Sequence, residues 1–268
     1  MLAKKYLQIV KISWTNTLVY RLSFILWRLE SIILFLGTYL FWLAVYHNSA
    51  QISSYNKTTM LTYIIGILIL RNLVFSSRIN QAAEDIASGG LNKYLVKPME
   101  YFHWLIGIDL GDKIAQLFFL FFELIAIFLI FKPPFFIQTN IAYLIYFLIS
   151  SSFSILIYFY LSLIISLTTF WYPEHNGWPQ RFLFDTMIIF LSGGWFPLDI
   201  LPLPIYRFLS LLPSTYLRFF PLKIYLGQLE LKEIIKGLIL MFLWIIILRR
   251  LTNFIWQKGL KTFTAVGI

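Results

Sequence analysis

The 268-residue chain has no cysteine, three histidines and only 12 acidic side chains. Without thiols it can form no disulfide, no thiolate nucleophile and no cysteine-ligated metal site, and its redox compartment stays open. His47, His103 and His175 stand alone in separate connections, so none is expected to serve as a catalytic base or metal ligand. The chain also has no H-E-x-x-H zinc motif, no G-x-S-x-G nucleophile elbow and no G-x-x-x-x-G-K-[ST] phosphate loop. No catalytic constellation is left to recommend an enzyme, and the chain has no evident place of its own for a nucleotide.

Charge of either sign is scarce as well, at 13% of residues against 59% hydrophobic and 19% aromatic, with a mean hydropathy of +0.77. A soluble domain carries about twice that charge. Several runs of roughly 20 apolar residues are each long enough to cross about 30 Å of hydrocarbon, which makes the expected class an all-α polytopic membrane protein. Six spans are expected: Leu22 to Tyr46, Met60 to Phe75, Leu105 to Phe131, Ile141 to Phe170, Phe182 to Phe196, and Ile234 to Trp256. The first apolar run is too long for a signal-peptide core and has no small-residue cleavage pattern after it, so it is expected to remain as an anchor.

The formal net charge of +10 does not point to nucleic acid, because the 22 Lys and Arg are scattered beside the apolar runs rather than gathered on one stripe. Lys4, Lys5, Lys11 and Arg21 precede the first span. Arg78, Lys93, Lys97 and Lys113 fall between the second and third, and Arg249, Arg250, Lys258 and Lys261 follow the sixth. The first-to-second and third-to-fourth connections carry only Lys57 and Lys132, which predicts cytoplasmic termini. The fifth-to-sixth connection dissents with Arg207, Arg218, Lys223, Lys232 and Lys236. Ahead of the first span, residues 1–21 alternate Leu2, Tyr6, Ile9, Val10 and Trp14 against Lys4, Gln8, Lys11 and Thr15, an interfacial helix pattern.

The stretch "AAEDIASGGLNKYLVKPMEYFHW", Ala82 to Trp104, is not written for lipid. Gln81 to Ser88 can form a short helix and Gly89 and Gly90 a left-handed exit, and Leu91 to Val96 can restart a turn that Pro98 stops. Leu91 and Leu95 share a face at i,i+4 with Tyr94 beside them, and Glu84, Asp85, Lys93 and Lys97 surround it with charge. An apolar knob in a polar rim suits docking of a partner; an interfacial helix resting on the bilayer would use the same aromatics. Farther on, Gly193, Gly194, Pro197, Pro202, Pro204 and Pro213 forbid one continuous helix after the fifth span. Arg28, Glu30, Glu123 and Asp185 fall within apolar runs. Arg28 can snorkel to the headgroups, whereas Glu123 either lines a path or pairs with a base.

The pattern "EDIASGGLNKYLVKPMEY" between the second and third of six spans resembles the coupling-helix region of type-2 ABC exporter permeases. "LSGGWFPLDILPLPIYRFLSLLPSTYLRFFPLKIYLG" resembles their kinked fifth span and extracellular re-entrant helices, and the amphipathic start their interfacial connecting helix. The resemblance covers nearly the whole chain as layout. It implies one permease domain over 1–268, with an interfacial helix at 1–21, a coupling segment at 76–104 and a re-entrant segment at 197–233. It further implies a bacterial plasma-membrane subunit that pairs with a second permease and with ABC ATPase subunits holding ATP and magnesium, and that needs no cofactor of its own. Glu84, Asp85, Gly89, Gly90, Leu91, Leu95, Lys97 and Pro98 would form the ATPase handle. Gly193, Gly194 and Pro197 would mark the gate, and Pro202 and Pro213 would bound the re-entrant elements. The competing class is an ion-coupled carrier with Glu123 or Asp185 as the proton-carrying carboxylate.

Overall fold

The computed structural model describes residues 21–75, 79–96 and 100–263, with only the backbone of Arg21 and Ser23. The expected interfacial helix, apart from Arg21, lies outside the described residues, as do Arg78, Lys97 and Pro98. What is described is nearly all helical. Helix α1 (Arg21–Asn48) is followed by a two-stranded antiparallel hairpin, β1 (Gln51–Ile52) and β2 (Tyr55–Asn56), which the sequence reading lacked. Helix α2 (Lys57–Leu70) starts on a capping box between Asn56 and Thr59 and runs into a π-helical turn, Arg71–Phe75.

Two short helices, α3 (Asn80–Ala87) and α4 (Asn92–Leu95), precede the long α5 (Tyr101–Phe131), which Lys132 closes in a left-handed conformation. Helix α6 (Ile141–Leu167) begins on the side chain of Asn140, which accepts from the Ala142 backbone N–H. After it come α7 (Trp178–Leu191), α8 (Leu203–Leu209), α9 (Phe219–Tyr225) and α10 (Leu231–Thr262).

Among the described residues, α1, α2 with its π-turn, α5 and α6 are long and apolar enough to cross a bilayer by length and composition. The other two expected spans differ for identifiable reasons. Helix α7 has 14 residues, about 21 Å at 1.5 Å per residue, and ends at Leu191 rather than continuing to Phe196. Helix α10 is long, but its uninterrupted apolar stretch between Lys236 and Arg249 is 12 residues, about 18 Å. Spanning with it requires those two bases to reach outward along their stems.

Packing follows small side chains. On α6, Ser150, Ser154, Ser162 and Ser166 are buried at multiples of four residues along one face, and Ser154 Oγ donates to the Ser150 or Tyr216 carbonyl (2.8 and 2.7 Å). Helix α10 meets α6 extensively, burying Gly237, Met241, Leu248, Thr252 and Gly259 at alternating steps of four and seven. That seam lets the backbones approach without a driving force from water. A Cβ at Gly237 would strike the Phe220 ring, and one at Gly259 the Phe170 ring. The outer faces carry large apolar side chains, among them Phe118, Phe121, Leu129 and Ile130 of α5, as a lipid-facing exterior does.

Two apolar clusters result. The larger joins α1, α2, α6, α9 and α10 around residues such as Tyr63, Ile64, Ile157 and Leu217. The smaller gathers Ile79, Ala82, Ile86, Leu91 and Tyr94 against Tyr101 and Leu105 of α5, Leu163 and Leu167 of α6, and Trp256 of α10. It fastens the α3–α4 segment to one end of the helix bundle.

Candidate functional site

The α3–α4 segment folds as its residues dictate. Helix α3 ends at Ala87; Gly89, at φ +69°, makes the left-handed turn by itself, with Gly90 outside that region. The Leu91 N–H donates to the Asp85 carbonyl at 2.8 Å, drawing α4 back under α3. The consequence divides the expected knob. Leu91 is fully buried and Tyr94 nearly so, whereas Leu95 is 47% and Val96 85% exposed. Glu84 and Lys93 of the same segment are exposed as well. The outward apolar surface is therefore Leu95–Val96, and Leu91 is an inward anchor.

Asp85 also points inward. It is buried, accepts from the Tyr101 hydroxyl at 2.9 Å and lies 3.7 Å from the Lys93 ammonium. Tyr101 in turn stacks on Trp256 with ring centroids 5.6 Å apart, so the carboxylate ties the segment to α5 and, through one ring, to α10. Burial, reinforced by the Asp85 charge, pushes the Tyr94 phenol up from its usual range and keeps it neutral. Ala83 packs close to Gly177 ahead of α7, which extends the attachment to the α6–α7 connection.

The second site is the end of α7. Gly193, at φ +79°, turns the chain out of the helix, and its carbonyl accepts from the Tyr63 hydroxyl at 2.8 Å. Gly194 lies against the Arg218 guanidinium, where a Cβ would collide with Arg218 Nη1 and with the Ile189 carbonyl. Pro197 precedes a 3-10 turn (Leu198–Ile200), Pro202 caps α8, and Pro213 opens a second 3-10 turn (Pro213–Tyr216). Asp199 of this region accepts from the Lys223 ammonium at 2.6 Å and from the Tyr55 hydroxyl at 3.1 Å, pinning the hairpin. Burial and the Asp199 charge push the Tyr55 phenol far above its usual range, so it remains a donor.

The charges within the apolar helices pair with one another. Arg28 Nε lies 2.6 Å from Glu123 Oε1, and the same guanidinium donates to Asn72 Oδ1 at 2.5 Å and Gln116 Oε1 at 2.8 Å. This polar knot joins α1, α2 and α5. Glu30 pairs with Arg71 at 3.0 Å. Asp185 pairs with Arg181 at 3.0 Å, and Arg181 also donates to Ser162 Oγ of α6 at 2.6 Å.

Lys113, counted by sequence as a connection charge, is instead a buried residue of α5, 3.2 Å from Asp109. Asp109 and Asp112 are buried in the same helix, and their place in an apolar run does not by itself announce a role. The i,i+4 spacing of Asp109 and Lys113 was the available signal. Arg218 and Lys223 are also buried, so they do not count as aqueous loop charges. The dissent of the fifth-to-sixth connection thereby shrinks to Arg207, Lys232 and Lys236.

A family model described as "ABC-2 family transporter protein" matches residues 32–267. No curated protein matches the chain.

Proposed function

Because the chain belongs to the ABC-2 family of transporter proteins, we propose that it is the transmembrane permease subunit of an ATP-driven exporter, gripped at α3–α4 by separate ABC ATPase subunits. ATP and magnesium would reside on those subunits, in keeping with the missing phosphate loop. The observation that carries this reading is the two-sidedness of the segment. One face is fixed to α5, α6 and α10, while the same segment leaves Leu95 and Val96 exposed to solvent together with the charged Glu84 and Lys93. An exposed apolar pair in a charged rim is a partner's contact, and its anchored back is a lever.

In this reading the cytoplasm holds both termini and the α3–α4 segment, in a bacterial plasma membrane. The whole chain forms one membrane domain of six spans. Closure of the ATPase subunits would push α3–α4, and Asp85 and Leu91 would pass the displacement to the bundle. The chain end of α7 at Gly193 and Gly194 would act as the gate, with α8 and α9 as the re-entrant elements, and the subunit would pair with a second permease. The chain itself would form no covalent bond to its cargo. Glu123 and Asp185 are each engaged with an arginine, which favours this division of labour over a proton-carrying carboxylate.

Leu95→Asp is the direct test, because a carboxylate placed in an apolar contact is desolvated without a partner. The variant is expected to lose about tenfold or more of the co-purifying ATPase at unchanged thermal stability of the permease. Undiminished complex formation would reject docking at this surface.

A further inference from the structure

Four cations are buried among the described residues: Arg28, Lys113, Arg218 and Lys223. Three of them have a carboxylate at 2.6 to 3.2 Å, namely Glu123, Asp109 and Asp199. Arg218 differs. It is 3% exposed, its Nε has no hydrogen-bond partner among the described residues, and its guanidinium lies over the face of Phe75, 3.7 Å from the guanidinium carbon to the ring centroid. An unneutralised arginine at such a position is strongly penalised in an apolar environment unless something else supplies the negative charge.

The surroundings say what that is. Arg218 lines a cleft between α1, α2 and α7 together with a second cation, Arg71, whose acidic partner Glu30 is 54% exposed. Ser31 Oγ, on the same cleft, is buried and also lacks a hydrogen-bond partner. Arg71 stands 14 residues after Lys57, about 21 Å along the helix, which puts the cationic end of the cleft about two-thirds of the way across roughly 30 Å of hydrocarbon from the Lys57 end. Gly194 forms its floor, where any side chain would displace the Arg218 guanidinium. Through Thr38 and Trp195 the cleft is continuous with an apolar groove lined by Gly37, Phe41, Phe190 and Phe196. Two guanidiniums and a free hydroxyl at one end, and aromatic and aliphatic surface at the other, match a molecule with an oxyanion head and a hydrocarbon tail.

We propose that the cleft between α1, α2 and α7 binds a phosphate-headed, single- or multi-chain amphipath, with Arg218, Arg71 and Ser31 on the head and Phe41, Phe190 and Phe196 along the chain. The site rests on the permease reading only in making that amphipath the transported cargo; binding itself requires no ATPase. Native mass spectrometry of the purified chain in a neutral maltoside detergent, titrated with dodecyl phosphate, reads it directly. One saturable adduct per chain is expected. Arg218→Gln and Arg71→Gln each weaken it about tenfold or more, Ser31→Ala weakens it less, and Lys132→Gln, on an exposed helix end, leaves it unchanged.

Inorganic phosphate is expected to bind far more weakly than dodecyl phosphate. Equal binding would make this a small-anion pocket and overturn the amphipath. Wild-type binding by Arg218→Gln, or the absence of any adduct because a second copy fills the groove, would overturn the site. Thermal unfolding of ligand-free Arg218→Met separates binding from scaffolding. Removal of a buried charge lacking a counter-ion leaves the midpoint unchanged or raised, whereas a marked fall would make Arg218 structural. None of these results alters whether ATPase co-purifies, so the site and the permease reading fail separately.

Discussion

Glu123→Ala is expected to destabilise the chain by about 3–5 kcal/mol, the penalty for stripping a buried ion pair of one member. Arg28 is 8% exposed and holds Glu123 at 2.6 Å; without the carboxylate its charge would rest on Asn72 and Gln116, both neutral. Those amides satisfy N–H groups but cannot neutralise a guanidinium. The damage reaches three places in the bundle, since Arg28 belongs to α1, Asn72 to the π-helical turn that follows α2, and Gln116 and Glu123 to α5. Thermal unfolding of the purified protein checks this, and a double variant distinguishes pairing from transport. Arg28→Leu with Glu123→Leu is expected to recover most of the loss, because two matched apolar groups leave no orphaned charge. A carboxylate that instead serves the transport path would give a stable single variant with abolished transport.

Asp85→Ala has its largest expected effect on coupling. The carboxylate is buried, accepts a hydrogen bond from Tyr101 and lies near Lys93, and a hydrogen bond to a buried charged group contributes about 1.5–3 kcal/mol. Losing it shifts the balance between anchored and detached α3–α4 about ten- to a hundredfold at 1.4 kcal/mol per factor of ten. The ATPase would still meet Leu95 and Val96, but their backing would yield. The expected result is ATP hydrolysis retained by the assembled complex with transport reduced at least about tenfold. Tyr101→Phe should reproduce a weaker form of the same defect. Transport and hydrolysis falling together would mean that Asp85 acts at the ATPase contact itself.

Much of this architecture is legible in the residues because lipid imposes a simple rule on length and polarity. Helices α1, α2, α5 and α6 begin and end within a few residues of the apolar runs that announce them. The α3–α4 segment was readable from its glycines, acids and lysines. Its facing was not: Leu91 to Leu95 does form one helical turn, with the Leu95 N–H donating to the Leu91 carbonyl at 3.2 Å, but only the Leu91 end, held by its N–H to the Asp85 carbonyl, meets the bundle, and Leu95 is left outside it. Likewise, a single glutamate within apolar α5 invites a pathway until tertiary structure brings Arg28 beside it. The same limit hid Arg218: composition counts it as one more base in a connection, and only its packing reveals a buried guanidinium with no carboxylate in salt-bridge reach among the described residues. Asp109 and Lys113 were the opposite case, a pair four residues apart whose spacing already offered mutual neutralisation within an apolar helix.

The absence of native cysteine allows the central claim to be tested without a background-free variant having to be built first. Val96→Cys, 85% exposed at the tip of α3–α4, should react with a membrane-impermeant maleimide only when the cytosolic face is accessible. It should be shielded when the ATPase is bound, and a bifunctional reagent should join it to that subunit. Labelling of intact cells from outside, or labelling indifferent to the ATPase, would contradict a lever worked from the cytosol.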